Sequence, residues 1–368
     1  MAMVLRTAYT VALSLVASSA GAEQFSWQLS GSYSETELSS FADTERTMLD
    51  ATYYLDPVDD TRGPYSLAPF LNRSSRVTGG VSKETTTITV PVAYIGPLPP
   101  PGPTAVDLTE DTTGYTVGGR YVWAASGWYV GAAYRDLDTD QEQSSPLSRQ
   151  GTTSDGYELF GGRYFGESTS LDLTAGTMRQ RTELTLSCIT SLCLSGSTAT
   201  QIDTDDWSIG ALHVRQKPRL SYTIAGRVSG SEITPSFRPL VLTPPPGGPS
   251  PAPFPGTAIE GIGVVTYTSI AAPLAFIAAP FTGPFQSLDE RKTASIAAEL
   301  FPTDRIGFRI GLARSEGEYG DDESYDLAAT WFFTRATAVE FVLARTQSEI
   351  FSLSRDIDSA ELRLFGRL

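Results

Sequence analysis

Apolar and polar residues alternate with a period of two along most of this chain. Phe25, Trp27, Leu29, Gly31 and Tyr33 fall on one face of a first segment, against Ser26, Gln28, Ser30 and Ser32. The pattern returns in Tyr115, Val117, Gly119, Tyr121 and Trp123, and again in Trp128, Val130, Ala132 and Tyr134. It returns once more where Ile306, Phe308, Ile310 and Leu312 alternate with Gly307, Arg309 and Gly311. Strict alternation specifies strands with two unlike faces and not helices. Fourteen such segments are predicted, near 24–37, 45–56, 73–88, 111–124, 127–139, 155–166, 169–184, 202–216, 219–233, 290–301, 305–317, 322–333, 337–349 and 355–368. Short links such as Ala125-Ser126, Gly166-Glu167-Ser168 and Thr303-Asp304 alternate with longer ones at 89–110, 140–154, 185–201 and 234–289. The link at 57–72 breaks this rule: it is long where a short turn is due.

A soluble sandwich would turn its polar face outward. Here one face carries Trp, Tyr, Phe, Leu, Val and Ile, and the other carries small, polar and charged groups. With an even strand count and links of alternating length, this predicts an all-β fold, a transmembrane antiparallel up-and-down β-barrel with lipid outside and water inside. Tyr33, Tyr53, Trp123, Trp128, Trp207, Tyr325, Trp331 and Phe333 sit near strand ends, where interfacial aromatic girdles belong. Turning the apolar face outward leaves Asp50, Arg120, Arg135, Glu158, Asp172, Arg227, Glu299, Arg305, Arg309, Asp326, Glu340, Glu361 and Arg363 pointing into the lumen. Rows of arginines and carboxylates there discriminate solutes by charge, or simply pair and brace the wall. Tyr129, Phe160 and Tyr164 point inward on the same phase, to stack on a solute or to fill space.

Composition narrows the function. The chain has 27 Lys+Arg against 42 Asp+Glu, a formal net charge of −15, which argues against nucleic acid as a partner. One histidine and two cysteines make a zinc enzyme or a His-based hydrolase improbable, and no cofactor or metal site is read. The single His213 falls in a strand close to the short-turn end, so no enzyme is expected. Residues 1–22 read as a secretory signal: Arg6 supplies the basic region, Ala8 to Val16 the apolar one, and Ala20-Gly21-Ala22 the cleavage site, so that the mature chain begins at Glu23. Export permits a disulfide, and Cys188 with Cys193 is preferred as a small loop staple, two free thiols being the alternative.

The long links are unusual. Residues 91–103 and 235–256 are rich in proline, which favours extended polyproline and opposes regular strands. Residues 259–281 then turn apolar. Pro273 and Pro280 argue against a membrane helix there. The segment is expected to constrict the lumen, to cover the outer mouth, or to add a hairpin that raises the strand count to sixteen.

The stretch from Tyr53-Tyr54-Leu55-Asp56-Pro57-Val58 to Ala68-Pro69-Phe70-Leu71 is similar to a segment of Gram-negative outer-membrane porins. The closing strand, Ala360 to Leu368, resembles the assembly signal of outer-membrane barrels, except that it ends in Leu368 with Phe365 three positions earlier. The resemblance implies an outer-membrane location, contact with lipid and lipopolysaccharide, recognition by the barrel-assembly machinery, and a homotrimer. The expected function is passive diffusion of small hydrophilic solutes, with selectivity set by lumen charge and loop constriction. The alternative is a non-conducting receptor, adhesin or structural barrel that uses its Pro-rich loops, and a third reading is a channel for hydrophobic substrates using 259–281.

Overall fold

The computed structural model describes residues 24–37, 42–91, 105–143, 148–186, 195–217, 220–243, 290–317, 320–350 and 353–368. The signal segment, the start at Glu23, both cysteines, most of 91–103 and all of 244–289 lie outside them. The strands are β1 (Gln24–Glu37), β2 (Ala42–Asp59), β3 (Arg76–Pro91), β4 (Ala105–Trp123), β5 (Trp128–Gln143), β6 (Ser148–Phe165) and β7 (Thr169–Leu186). They continue as β8 (Ser195–Arg215), β9 (Ser221–Thr243), β10 (Arg291–Thr303), β11 (Ile306–Gly317), β12 (Gly320–Phe332), β13 (Thr337–Ile350) and β14 (Leu353–Arg367). Each pairs antiparallel with its sequence neighbours, and β14 pairs with β1, so the sheet is a closed barrel of fourteen strands. The seam is finished by Leu368, whose N–H donates to Trp27 O and whose carbonyl accepts from the N–H groups of Ser26 and Trp27. With no free edge, neighbouring strands pair the backbone of the wall all the way round, as hydrocarbon demands.

The outer surface follows the apolar face of the alternation. On β4, Tyr115, Val117, Tyr121 and Trp123 are exposed, and on β12 so are Tyr325, Leu327 and Trp331. A lower girdle runs through Trp27, Tyr53, Tyr121, Trp123, Trp128, Phe165, Trp331 and Phe333. Within it, Trp27 packs on Tyr53, Tyr121 on Trp123, and Trp331 on Phe333, at centroid distances of 4.8, 5.2 and 4.4 Å. Towards the other end stand Tyr115, Tyr134, Tyr157, Trp207 and Tyr325. Beyond them the outward face turns polar, as at Asp136 and Asp138 on β5 and in the Arg179–Asp203 ion pair at 2.9 Å. An apolar belt between two aromatic rings, with charge beyond it, is the surface of a barrel seated in a bilayer.

Several expectations are corrected. The sixteen-strand alternative fails because β9 pairs directly with β10 from Ser221↔Phe301 to Ser231↔Arg291, leaving no room in the wall for another hairpin. The links at 89–110, 140–154 and 185–201 are shorter than expected, because β3 to β8 extend well past the membrane before they turn. Residues 235–243 are strand despite Pro235 and Pro239. Beyond Ser231, β9 has no partner on its β10 side among the described residues, where a missing N–H costs little. Pro239 falls where the pairing with β8 skips from Ala199↔Arg238 to Ser197↔Val241. Phe25 leaves the lipid face: β1 and β2 shift register between Phe25 and Trp27, and the ring turns inward onto Tyr54. Arg305 sits in the tight turn between β10 and β11, not in the lumen wall, and its N–H donates to Thr303 Oγ1.

Facing is thus set by position along each strand. Phe341→Arg on the lipid face of β13 is expected to destabilise the folded barrel by ~2–4 kcal/mol, the cost of a basic group near mid-bilayer. Ala344→Arg, three residues on and facing the lumen near Asp326, is expected to be close to neutral. Equilibrium refolding into vesicles measures both.

Candidate functional site

The lumen is lined by the residues that alternation turned inward. Asp50, Arg120, Arg135, Glu158, Asp172, Arg227, Glu299, Arg309, Asp326, Glu340, Glu361 and Arg363 all lie on the face opposite the exposed apolar side chains. Tertiary pairing joins many of them. Arg363 donates through Nε and Nη2 to Glu361 at 2.7 Å each and through Nη1 to Glu340 at 3.1 Å, while Thr330 Oγ1 donates to the other Glu340 oxygen. Arg309 pairs with Asp326 at 3.0 Å, and Glu299 lies directly across from Arg309. Arg227 reaches Asp172 at 3.5 Å across β8. Each of these aspartates lies over a glycine of the next strand: a Cβ on Gly210 would collide with the Asp172 carboxylate, and one on Gly311 with that of Asp326. The two pairs flank a recess of about 410 Å³ whose inner wall is built of small residues, among them Ala225, Ser295, Ala297, Gly311 and Ser324. Donors and acceptors on a smooth polar wall suit passage of hydrated solutes more than tight retention.

The short-turn end is occupied. The long link between β2 and β3 folds back inside the mouth as 3-10 turns at Asp60–Arg62 and Tyr65–Leu67, followed by the one-turn helix α1 (Ala68–Leu71). Apolar contacts of this segment reach most of the way round the barrel. Ala68 joins Phe25, Tyr54 and Val58 on the β1–β2 side, and Tyr65 joins Phe332, Ala338 and Phe365 on β12–β14. Leu67 packs on Val214 and Phe301 of β8 and β10. Phe70 meets Tyr164 near Val122 and Tyr129 of β4 to β6, where Phe160 also packs. The three inward aromatic rings, Tyr129, Phe160 and Tyr164, therefore sit with a plug rather than projecting free into the pore.

Polar latches tie the same segment to the neighbouring turns. Tyr65 N–H donates to Asp304 O in the β10–β11 turn at 3.0 Å, and the Arg73 guanidinium donates to Gly166 O in the β6–β7 turn. Asp60, only 2% exposed, pairs with Arg335 of the β12–β13 turn at 3.5 Å. Arg367, the penultimate residue, is 5% exposed and donates Nη2 to Tyr65 O at 2.7 Å. Its guanidinium lies between the rings of Phe25 and Phe332, at 4.6 and 5.0 Å. Sequence reasoning missed this plug and Arg367. The one visible sign of it was the abnormal length of 57–72; Arg367 continues the β14 alternation and carries no separate signal.

The comparisons with known proteins agree with this architecture. The family described as "Putative general bacterial porin" matches residues 2–90, a stretch that includes the plug. The chain has the fold of an outer-membrane β-barrel. Among solved structures it is similar to "CymD monoaromatic hydrocarbon channel", at 8% identity and TM-score 0.52, covering 94% of this chain and 89% of that one. It is also similar to a TodX deltaS2S3 mutant described in the same words, at 9% identity and TM-score 0.51, covering 94% and 90%. Omp33 of Acinetobacter baumannii aligns over 94% of this chain and 99% of its own, at 11% identity and TM-score 0.45. At such identities the likeness is one of fold. No curated protein matches the sequence. His213, set aside as a catalytic base, lies on the outward face with Nδ1 2.9 Å from Thr169 Oγ1, away from the lumen charges.

Gly63 holds a hinge of the plug. Its φ of 145° and ψ of −154° belong to a region essentially restricted to glycine, and a Cβ there would run into the Gln216 side chain. Gly63→Ala is expected to weaken seating of the plug by ~1–3 kcal/mol. Hydrogen exchange checks this: amides of 64–75 should lose protection while those of the barrel strands keep it.

Proposed function

We propose that this barrel is a passive diffusion channel for small hydrophilic solutes, with selectivity set by the lumen charges and with passage controlled at the short-turn mouth by the 60–75 segment. The observation that carries this reading is the polarity of the wall: a lipid-facing apolar exterior around an interior of paired and unpaired charges, small residues and hydroxyls. Cross-strand hydroxyl pairs such as Thr44–Thr86 at 3.0 Å, Thr112–Thr139 at 2.9 Å and Thr293–Ser315 at 2.8 Å extend that polar lining upward. This favours hydrated solutes over the monoaromatic hydrocarbons named for CymD and TodX, which would gain nothing from such a wall. A constriction by 234–289 falls, beyond Thr243, on residues outside those described, as does a hydrophobic route through 259–281, and the plug supplies a constriction at the opposite mouth. In barrels of this kind short turns face the periplasm, so control would act on the inner side.

The plug also favours a second reading, a barrel that does not conduct. One experiment separates the two. The mature chain and a variant with 60–75 replaced by a four-residue glycine–serine turn are reconstituted in planar bilayers. The channel reading expects brief or small openings from the full chain and a steady current, several-fold larger, from the variant. A variant that folds into a barrel and passes no current would sink the channel reading and leave a structural or receptor role. Equal currents from both proteins would remove the plug from control of passage.

A further inference from the structure

Among the described residues, the buried polar atoms that lack a hydrogen-bond partner are Ser66 Oγ, Arg120 Nε and two nitrogens of Arg367, Nε and Nη1. All are at the plug or against it. Ser66 belongs to it, Arg120 donates Nη2 to Ser74 O at 3.2 Å, and Arg367 holds Tyr65. Buried donors left unpaired are rare, and each calls for a physical explanation. Arg367 has one, since aromatic faces cover its guanidinium on two sides. Arg120 has less. Its guanidinium lies 5.4 Å from the centre of the Tyr129 ring, and the residue directly opposite it across the β3–β4 ladder is Arg76.

Two arginines facing each other on neighbouring strands repel. Three other lumen arginines carry carboxylates: Arg227 with Asp172, Arg309 with Asp326, and Arg363 with Glu340 and Glu361. The ionisable groups around Arg120 are instead Arg76 and the phenols of Tyr54, Tyr129 and Tyr164, and Tyr54 in turn lies beside Arg76, Arg120 and Arg367. Arg76 and Arg120 thus bring two positive charges to a corner rich in phenol hydroxyls; the carboxylate that acts there, Asp172, bears on Tyr129 and is held by Arg227 at 3.5 Å.

We propose that Arg76 and Arg120 bind a small oxyanion, a carboxylate or phosphate group, against the inner face of the plug. Guanidinium groups present planar forks that match both chemistries, and such charge-assisted hydrogen bonds strengthen where water is scarce. The Tyr54 hydroxyl, which donates to Gln28 Oε1 at 3.4 Å, stands beside Arg76 at the same corner. Because Arg120 also holds Ser74 O, the bound anion joins the barrel wall to the plug and steadies the closed mouth. This site does not depend on the channel reading: it stands or falls on anion binding, whether or not the barrel conducts.

Thermal unfolding of the refolded mature barrel, followed by heat-dependent gel mobility, tests the site in chloride, phosphate and acetate at one pH and ionic strength. Phosphate or acetate is expected to raise the midpoint by a few degrees over chloride. A response to phosphate alone assigns the site to inorganic phosphate or a phosphate ester, and a response to acetate as well assigns it to carboxylates. Arg76→Gln keeps the Arg120 contact to the plug and removes the repulsion. It is expected to melt above the wild type in chloride and to lose most of the rise in phosphate. A wild-type midpoint identical in all three salts overturns the proposal. So does an Arg76→Gln barrel that melts below the wild type in chloride yet keeps its full response.

Discussion

Everything in this molecule depends on the backbone hydrogen bonds of a sheet that must leave no edge in hydrocarbon. An unpaired N–H or C=O in the bilayer costs several kcal/mol, so fourteen strands are stable there only if the last finds the first. The β1–β14 ladder, running from Gln28↔Arg367 to Glu37↔Asp358, supplies that closure. Once the wall is closed, the period-two pattern has one acceptable register, because a one-residue slip would turn Arg309 or Glu340 into lipid and Phe308 or Phe341 into water. The polarity of exterior and lumen is then a consequence of closure.

Closure also decides where an apolar core can exist. In a soluble sandwich the core fills the space between two sheets, whereas here the lumen is wet and the apolar side chains are spent on lipid. Among the described residues, the four small clusters of buried apolar side chains all gather round the 60–75 plug. The inward positions nearest the short turns are accordingly apolar, namely Phe25, Val122, Val214, Phe301, Phe332 and Phe365, while the inward positions above them are charged or hydroxylated. A plug made of one connecting segment has little surface to bury, and its backbone is held by latches to turns that are distant in sequence. The placement of Arg367 on β14 ties plug seating to the strand that seals the barrel.

Much of this was legible in the residues. The strand count, the outward and inward phases, both aromatic rings and the inward facing of twelve of the thirteen charges follow from alternation, which is local and repeats in every strand. What failed was whatever depended on a neighbour. Phe25 obeys the alternation of β1 and still points inward, because the opposing strand inserts Tyr54 to Pro57 between Tyr53 and Val58. Pro235 and Pro239 obey their propensity in isolation, yet they lie in a strand that, among the described residues, pairs on its β8 side alone at that height. The excess length of 57–72 was visible as an irregularity, but nothing local says that it turns in rather than out.

The sequence by itself therefore determined a membrane-spanning wall, since side-chain direction in a strand is dictated by backbone geometry and polarity is written residue by residue. Only the tertiary structure decided which lumen charges find partners and which, like Arg76 and Arg120, are left facing their own kind. It alone decided that one mouth is filled. Ion pairing and plugging depend on which strands become neighbours across tens or hundreds of residues, and on register to within a single residue. Those distances come into being only when the barrel closes.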